Sequence, residues 1–164
     1  MPGQPLGLHG HGLRGRQLRG PRRPEAEPEV AVVETRRYQC RHCGAVVTVA
    51  PAAATARRHY SRPAIALALA RFGLLGEPAA QVRRRVSPWR TVGAAATGSW
   101  VTLKRWARAV AEGRLRLVES LVPAGRTLRE LAGYAAQMVV GAAPPAVRHR
   151  DLAAQAFYGA LAAV

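Results

Sequence analysis

The polarity pattern changes period near residue 60. Residues 30–50, VAVVETRRYQCRHCGAVVTVA, place β-branched residues on both sides of a cysteine pair. Residues 30–33 and 46–49 therefore predict two strands flanking a tight turn. From Ser61 the period becomes helical. Ser61 suits an N-cap, Pro63 the first turn and Gly73 the end, while Ile65, Leu69 and Phe72 share one face. A second, short helix is predicted over 79–86, closed by Ser87-Pro88. After an irregular connection over 89–98, Ser99 is placed to cap a third helix, 100–112, that Gly113 stops. Its apolar stripe is Trp100, Leu103, Trp106 and Val110. Further helical pieces are predicted at 114–122, 127–140 and 151–163, rich in Ala and sparse in large apolar side chains. Residues 1–29 show no helical period; their Gly, Pro and Arg predict a flexible arm with partial strand.

Composition adds a partner to this picture. The 164 residues carry 25 Lys+Arg against 9 Asp+Glu, a net charge of +16. That balance points to a polyanion, most simply nucleic acid. All the basic residues but Lys104 are arginine, and Ala is abundant. A GC-rich genome produces both, so no single Arg carries weight by itself; the net charge does. Asp151 is the only aspartate, which argues against two-metal nuclease or transposase chemistry. No Ser-His-Asp arrangement, P-loop or Rossmann fingerprint is present, so the chain is read as a non-enzyme. Residues 131–147 are interrupted by Pro144-Pro145 and are too short to span a bilayer, and no secretory signal is visible. The expectation is a cytoplasmic, nucleoid-associated protein with no membrane partner.

Cys40-Arg41-His42-Cys43-Gly44 has the form of a zinc knuckle, and the flanking strands make it half a zinc ribbon. A structural zinc needs four ligands, and these are the only cysteines. His9 and His11 are the candidates to complete the shell across a hairpin; His42 and His59 are further histidines near it. A redox dithiol, a metal shared between two chains and a site that has lost its metal stay open as alternatives.

The helices over 59–113 have the make-up of a helix-turn-helix module, with the last helix presenting Thr102, Lys104, Arg105 and Arg108 away from its tryptophan side. The insert at 89–98 is longer than the usual turn. Two further basic groups, Arg14, Arg16 and Arg19 on the N-terminal arm and Arg83, Arg84 and Arg85 before Ser87, are candidates for phosphate contact. The fold class expected is mainly α: a small N-terminal β hairpin (half zinc ribbon), then a helix-turn-helix-like bundle. Its segments are a flexible arm over 1–29, hairpin and linker over 30–58, the helix-turn-helix-like part over 59–113 and an Ala-rich helical tail over 114–164.

The segments LHGHGLRGRQLRGP, RRYQCRHCGAVVTVAP, RRHYSRPAIALALARFG and VSPWRTVGAAATGSWVTLKRWAR resemble a bacterial group related to insertion-sequence transposases. The resemblance spans roughly residues 6–112. Its members begin with a zinc ribbon and continue into a helix-turn-helix. It implies Cys40 and Cys43 as ligands of a structural zinc and helix 100–112 as the DNA reader. In such proteins a first CxxC precedes the HGHG-like strand; here Met1 stands only a few residues before it, as in a truncated member. The functional expectation is a DNA-binding protein related to a transposase recognition region, without a catalytic domain. An RNA- or ribosome-associated basic protein and a decayed fragment are the rivals. The C-terminal helices are the expected site of any homodimer.

Overall fold

The structure, a computed structural model, describes residues 7–115, 117 and 126–163. Strands β1 (Leu8–Gly20), β2 (Glu29–Cys40) and β3 (Val46–Val49) precede helices α1 (Arg62–Gly73), α2 (Ala79–Val86), α3 (Val101–Ala111), α4 (Leu128–Gly141) and α5 (Leu152–Ala162). Short 3-10 turns lie at Gly93–Ala96 and Pro145–Val147. The helix expected over 114–122 falls largely outside the described residues.

The architecture is mixed α/β, which corrects the expectation of a mainly α fold. The reason lies in β1. It is a 13-residue strand that pairs antiparallel with β2 from Leu8↔Cys40 to Gly20↔Glu29. Gly10, Gly12, Gly15 and Gly20 give it the composition of a loop, because glycine is disfavoured in strands. Pairing with the Val-rich β2 overrides that local preference. The strand order is β1-β2-β3, with a bulge between Gly10 and Leu13.

Capping explains where the helices start. Ser61 accepts a hydrogen bond from the Ala64 N–H at the head of α1. Thr127 and Glu130 form a reciprocal capping box at α4, and Asp151 caps α5 through the Ala154 N–H. At α3 the cap is Trp100, not the expected Ser99, and it makes no side-chain bond.

Helix α1 is buried along its whole middle, Pro63 through Ala70, rather than on one stripe. It is the central helix. α4 and α5 pack on it most closely and on each other; α2 packs on α1, and α3 on α4 and α1. α2 and α3 share little direct packing. The Ala-rich C-terminal helices therefore turn their buried faces to α1 and share its core. Small residues make that possible, because they let helix axes approach. A Cβ on Gly73 would overlap the backbone of Gly133, and one on Gly159 would overlap the Val139 carbonyl. Gly73→Ala is accordingly expected to cost about 3 kcal/mol, near the upper end of ordinary overpacking, because backbone cannot rotate aside. Urea denaturation measures it; an unchanged midpoint would mean that α1 and α4 are not in this contact. No described helix is long and apolar enough to cross a membrane.

The end of β1 is joined to the start of α1 by backbone hydrogen bonds. The Arg19 N–H donates to His59 O at 2.8 Å, and the Ser61 N–H returns a bond to Arg19 O at 3.0 Å. The end of β1 and the start of α1 are thereby held together, which brings arm arginines beside helical ones.

Candidate nucleic-acid interface

The arginine run of α2 stands on a short helix whose Val82 and Val86 are fully buried against the core. A spacing of four puts both valines on one face. Arg84 and Arg85 are left exposed. Ser87 follows. It is buried, accepts a hydrogen bond from the Tyr60 hydroxyl at 3.0 Å and accepts another from the Trp89 N–H at 3.3 Å. Tyr60 in turn packs edge-on against Trp100 and Trp106. The chain leaving α2 is thus anchored to the aromatic core, and Trp89 emerges from it at 56% exposure.

A cleft of about 680 Å³ opens here, lined by Arg83, Arg84, Arg85, Arg90 and Trp89, with Glu27 as its one acidic group. Arg83 differs from its neighbours. It donates to the carbonyls of Ala95 at 2.6 Å and Ala96 at 3.0 Å, bracing the far wall. Among the described residues the acidic partners of ion pairs are Glu25, Glu29, Glu77, Glu112 and Glu130, and none of them pairs with Arg84, Arg85 or Arg90. Three exposed guanidiniums therefore face solvent here with no ion pair among the described residues. Arg19 reaches the same place from β1, its guanidinium 5.6 Å from the centre of the Trp89 ring.

The ten residues predicted to meet nucleic acid divide into three groups. Arg83, Arg84 and Arg85 line this cleft, and Arg19 adjoins it through the Trp89 ring. Arg14 and Arg16 lie elsewhere, on the sheet face that also carries Thr35 and Arg37. There a second cleft of about 1050 Å³ runs beneath Ala54–His59, with Arg57 and Arg58 on its other side. Arg16 holds the crossing segment by donating to Thr55 O and, at 2.7 Å, to Arg58 O. Arg57 sits at φ 56°, in the left-handed region that non-glycine residues rarely adopt. Thr102, Lys104, Arg105 and Arg108 form the third group on the outer side of α3, with Arg105 and Arg108 exposed. Neither cleft includes them. Sequence reasoning passed over Trp89 and Arg90, which it read as connection. The signal was the triplet Pro88-Trp89-Arg90: a large aromatic in a segment with no apolar period to bury it.

The cysteine pair forms the turn from β2 to β3. The Cys40 N–H donates to Ala45 O at 2.8 Å and the Gly44 N–H to Cys40 O at 3.0 Å, with Gly44 at φ 70°, as a knuckle-like turn requires. Within one chain the histidines expected to complete a zinc shell do not converge on it. Cys40 pairs with Leu8 and His9 with Gln39, so Cys40 and His9 project from opposite faces of the sheet. His11 lies in the bulge and is exposed. Among the described residues no group of three or more His, Cys, Asp or Glu side chains comes together. Two thiols alone do not make a closed structural zinc site.

The turn does act on Cys40. The backbone N–H of Cys43, then that of His42, then the Cys43 side chain hold its thiol below the ordinary range. These donors favour the thiolate relative to the unfolded chain, so its contribution to stability is present above the ordinary thiol pKa and is lost as pH falls through the lowered one. In a Cys43→Ser chain the backbone donors remain. Cys40 is expected to alkylate with a pH midpoint below that of the same chain unfolded in urea, read by mass shift. Coincident midpoints would mean that these amides do not face the sulfur.

Compared with known protein families, curated proteins and solved structures, the chain has no match.

Proposed function

We propose that this chain is a DNA-binding protein without a catalytic domain, of the kind that forms the recognition region of a transposase. The observation that carries the reading is the cleft beside α2, where Arg84, Arg85 and Arg90 stand exposed around Trp89 and make no ion pair among the described residues. Guanidiniums fit phosphate oxygens in a bidentate manner, and an arginine row can follow a strand. Affinity then comes mainly from counterion release. Arg105 and Arg108 on α3 and Arg14 on the sheet extend the basic surface and add phosphate contacts at its edges.

Fluorescence anisotropy tests the reading. Labelled duplexes from the flanks of the chain's own gene and scrambled duplexes are titrated with the protein across a salt series, with structured RNA as competitor. Binding that weakens steeply with salt, with a preference of about tenfold (~1.4 kcal/mol) for the flank, supports a sequence-reading module. Salt-independent binding, or structured RNA displacing DNA at equal concentration, overturns it.

A further inference from the structure

We infer that Trp89 is a stacking platform for an unpaired base, so that the ligand of the cleft is single-stranded DNA. This rests on the nucleic-acid reading above and adds the form of the strand.

The first ground is exposure. Trp100 and Trp106 are 7% and 2% exposed in the core, whereas Trp89 is 56% exposed and lines the cleft. A large ring left in water beside exposed arginines is the combination that binds single strands: arginines for the backbone, an aromatic face for the base. The second ground is how firmly the ring is placed. Its backbone N–H is held by Ser87, which Tyr60 holds in turn. Arg19 lies over the ring, and its own backbone is bonded to His59 and Ser61. Among the described residues the Arg19 Nε has no hydrogen-bond partner, and its Nη2 makes one long contact, 3.4 Å, to Gln17 Oε1. The indole is thus the main feature that this guanidinium faces. Arg83 fixes the opposite wall through Ala95 and Ala96. Ring, lid cation and wall are in place before any ligand arrives, so little ordering is required on binding.

The third ground is size and access. A cleft of about 680 Å³ lies in the range of small-molecule sites and accepts about one nucleotide, not a duplex. In a duplex both faces of each base are covered by stacked neighbours. Only an unpaired base can offer its face to an indole.

The test uses the full chain and its Trp89→Ala and Trp89→Phe variants. The probes are a labelled oligo-dT of about 12 nucleotides, long enough to place one base on Trp89 with backbone phosphates on either side of it, and a duplex of equal length. The parent is expected to prefer the single strand. Trp89→Ala should weaken oligo-dT binding about tenfold, the value of roughly one base stack, and leave duplex binding unchanged. Trp89→Phe should restore most of the loss. Oligo-dT should also quench tryptophan emission in the parent but not in Trp89→Ala, since the two remaining tryptophans are buried. Equal losses on both probes would reduce Trp89 to a support of the cleft wall and overturn the inference. So would full oligo-dT binding by Trp89→Ala. In both cases salt-dependent DNA binding by the parent would leave the broader reading standing. A parent that binds neither probe would overturn both.

Discussion

Replacing Trp106 with alanine is expected to lower the unfolding free energy by about 3–5 kcal/mol, the usual cost of removing a large buried aromatic. The ring is 2% exposed and stands edge-on to two others, 4.9 Å from Tyr60 and 5.1 Å from Trp100 between centroids. Each such pair adds about 0.5–1.5 kcal/mol beyond the area it buries. A domain of this size has only about 5–15 kcal/mol in total, so the variant should sit near its unfolding threshold at room temperature. Trp106→Phe keeps part of both contacts and should lose less than half as much. The effect should reach the cleft as well. Tyr60 packs against Trp106 and donates to Ser87, and Ser87 holds Trp89. Weaker DNA binding by Trp106→Phe than by the parent, at a temperature where both are folded, is the expected sign of that connection. Urea denaturation followed by circular dichroism gives the stability term. A loss under about 1 kcal/mol would mean that the three rings are not a packed unit.

The second large effect is electrostatic. Arg84→Ala/Arg85→Ala is expected to weaken DNA binding evenly across sequences and to flatten the plot of log affinity against log salt. Each phosphate contact on a single strand contributes about 0.7 unit of slope, so the double variant should lose roughly 1.4 units on oligo-dT. Stability should barely change, because both side chains are exposed and make no ion pair among the described residues. Arg83→Ala serves as the contrast. That arginine braces the Ala95 and Ala96 carbonyls, so its loss should loosen the cleft wall and weaken binding with a smaller change of slope. If the double variant keeps the parent's slope, the phosphates lie elsewhere, and the outer side of α3 or the second cleft takes precedence.

Local signals in the chain were sufficient for several elements. Ser61, Pro63 and Gly73 marked the limits of α1, and Ser87-Pro88 closed α2. The β-branched runs around the cysteines marked β2 and β3, because strand preference there agrees with the pairing. The candidate site was half legible. A net charge of +16 and the run Arg83-Arg84-Arg85 announced a polyanion surface, since charge is carried by composition whatever the fold.

Other features have no local signal. β1 looks like a loop, because its glycines hide a strand whose partner is 20 or so residues away and supplies the missing pattern. α4 and α5 look too poor in apolar bulk to matter, yet Ala and Gly are what allow them to lie close to α1 at Gly73, Gly133 and Gly159. The meeting of Arg19 with Trp89 belongs to the same class. Residues 70 positions apart come together only because backbone bonds from Arg19 to His59 and Ser61 place β1 beside the helices. Composition and local caps determined the charge of this protein and where most of its helices begin. Which arginines share one cleft, and that a tryptophan stands among them, was decided by tertiary structure, because pairing and packing act between residues that the sequence keeps far apart.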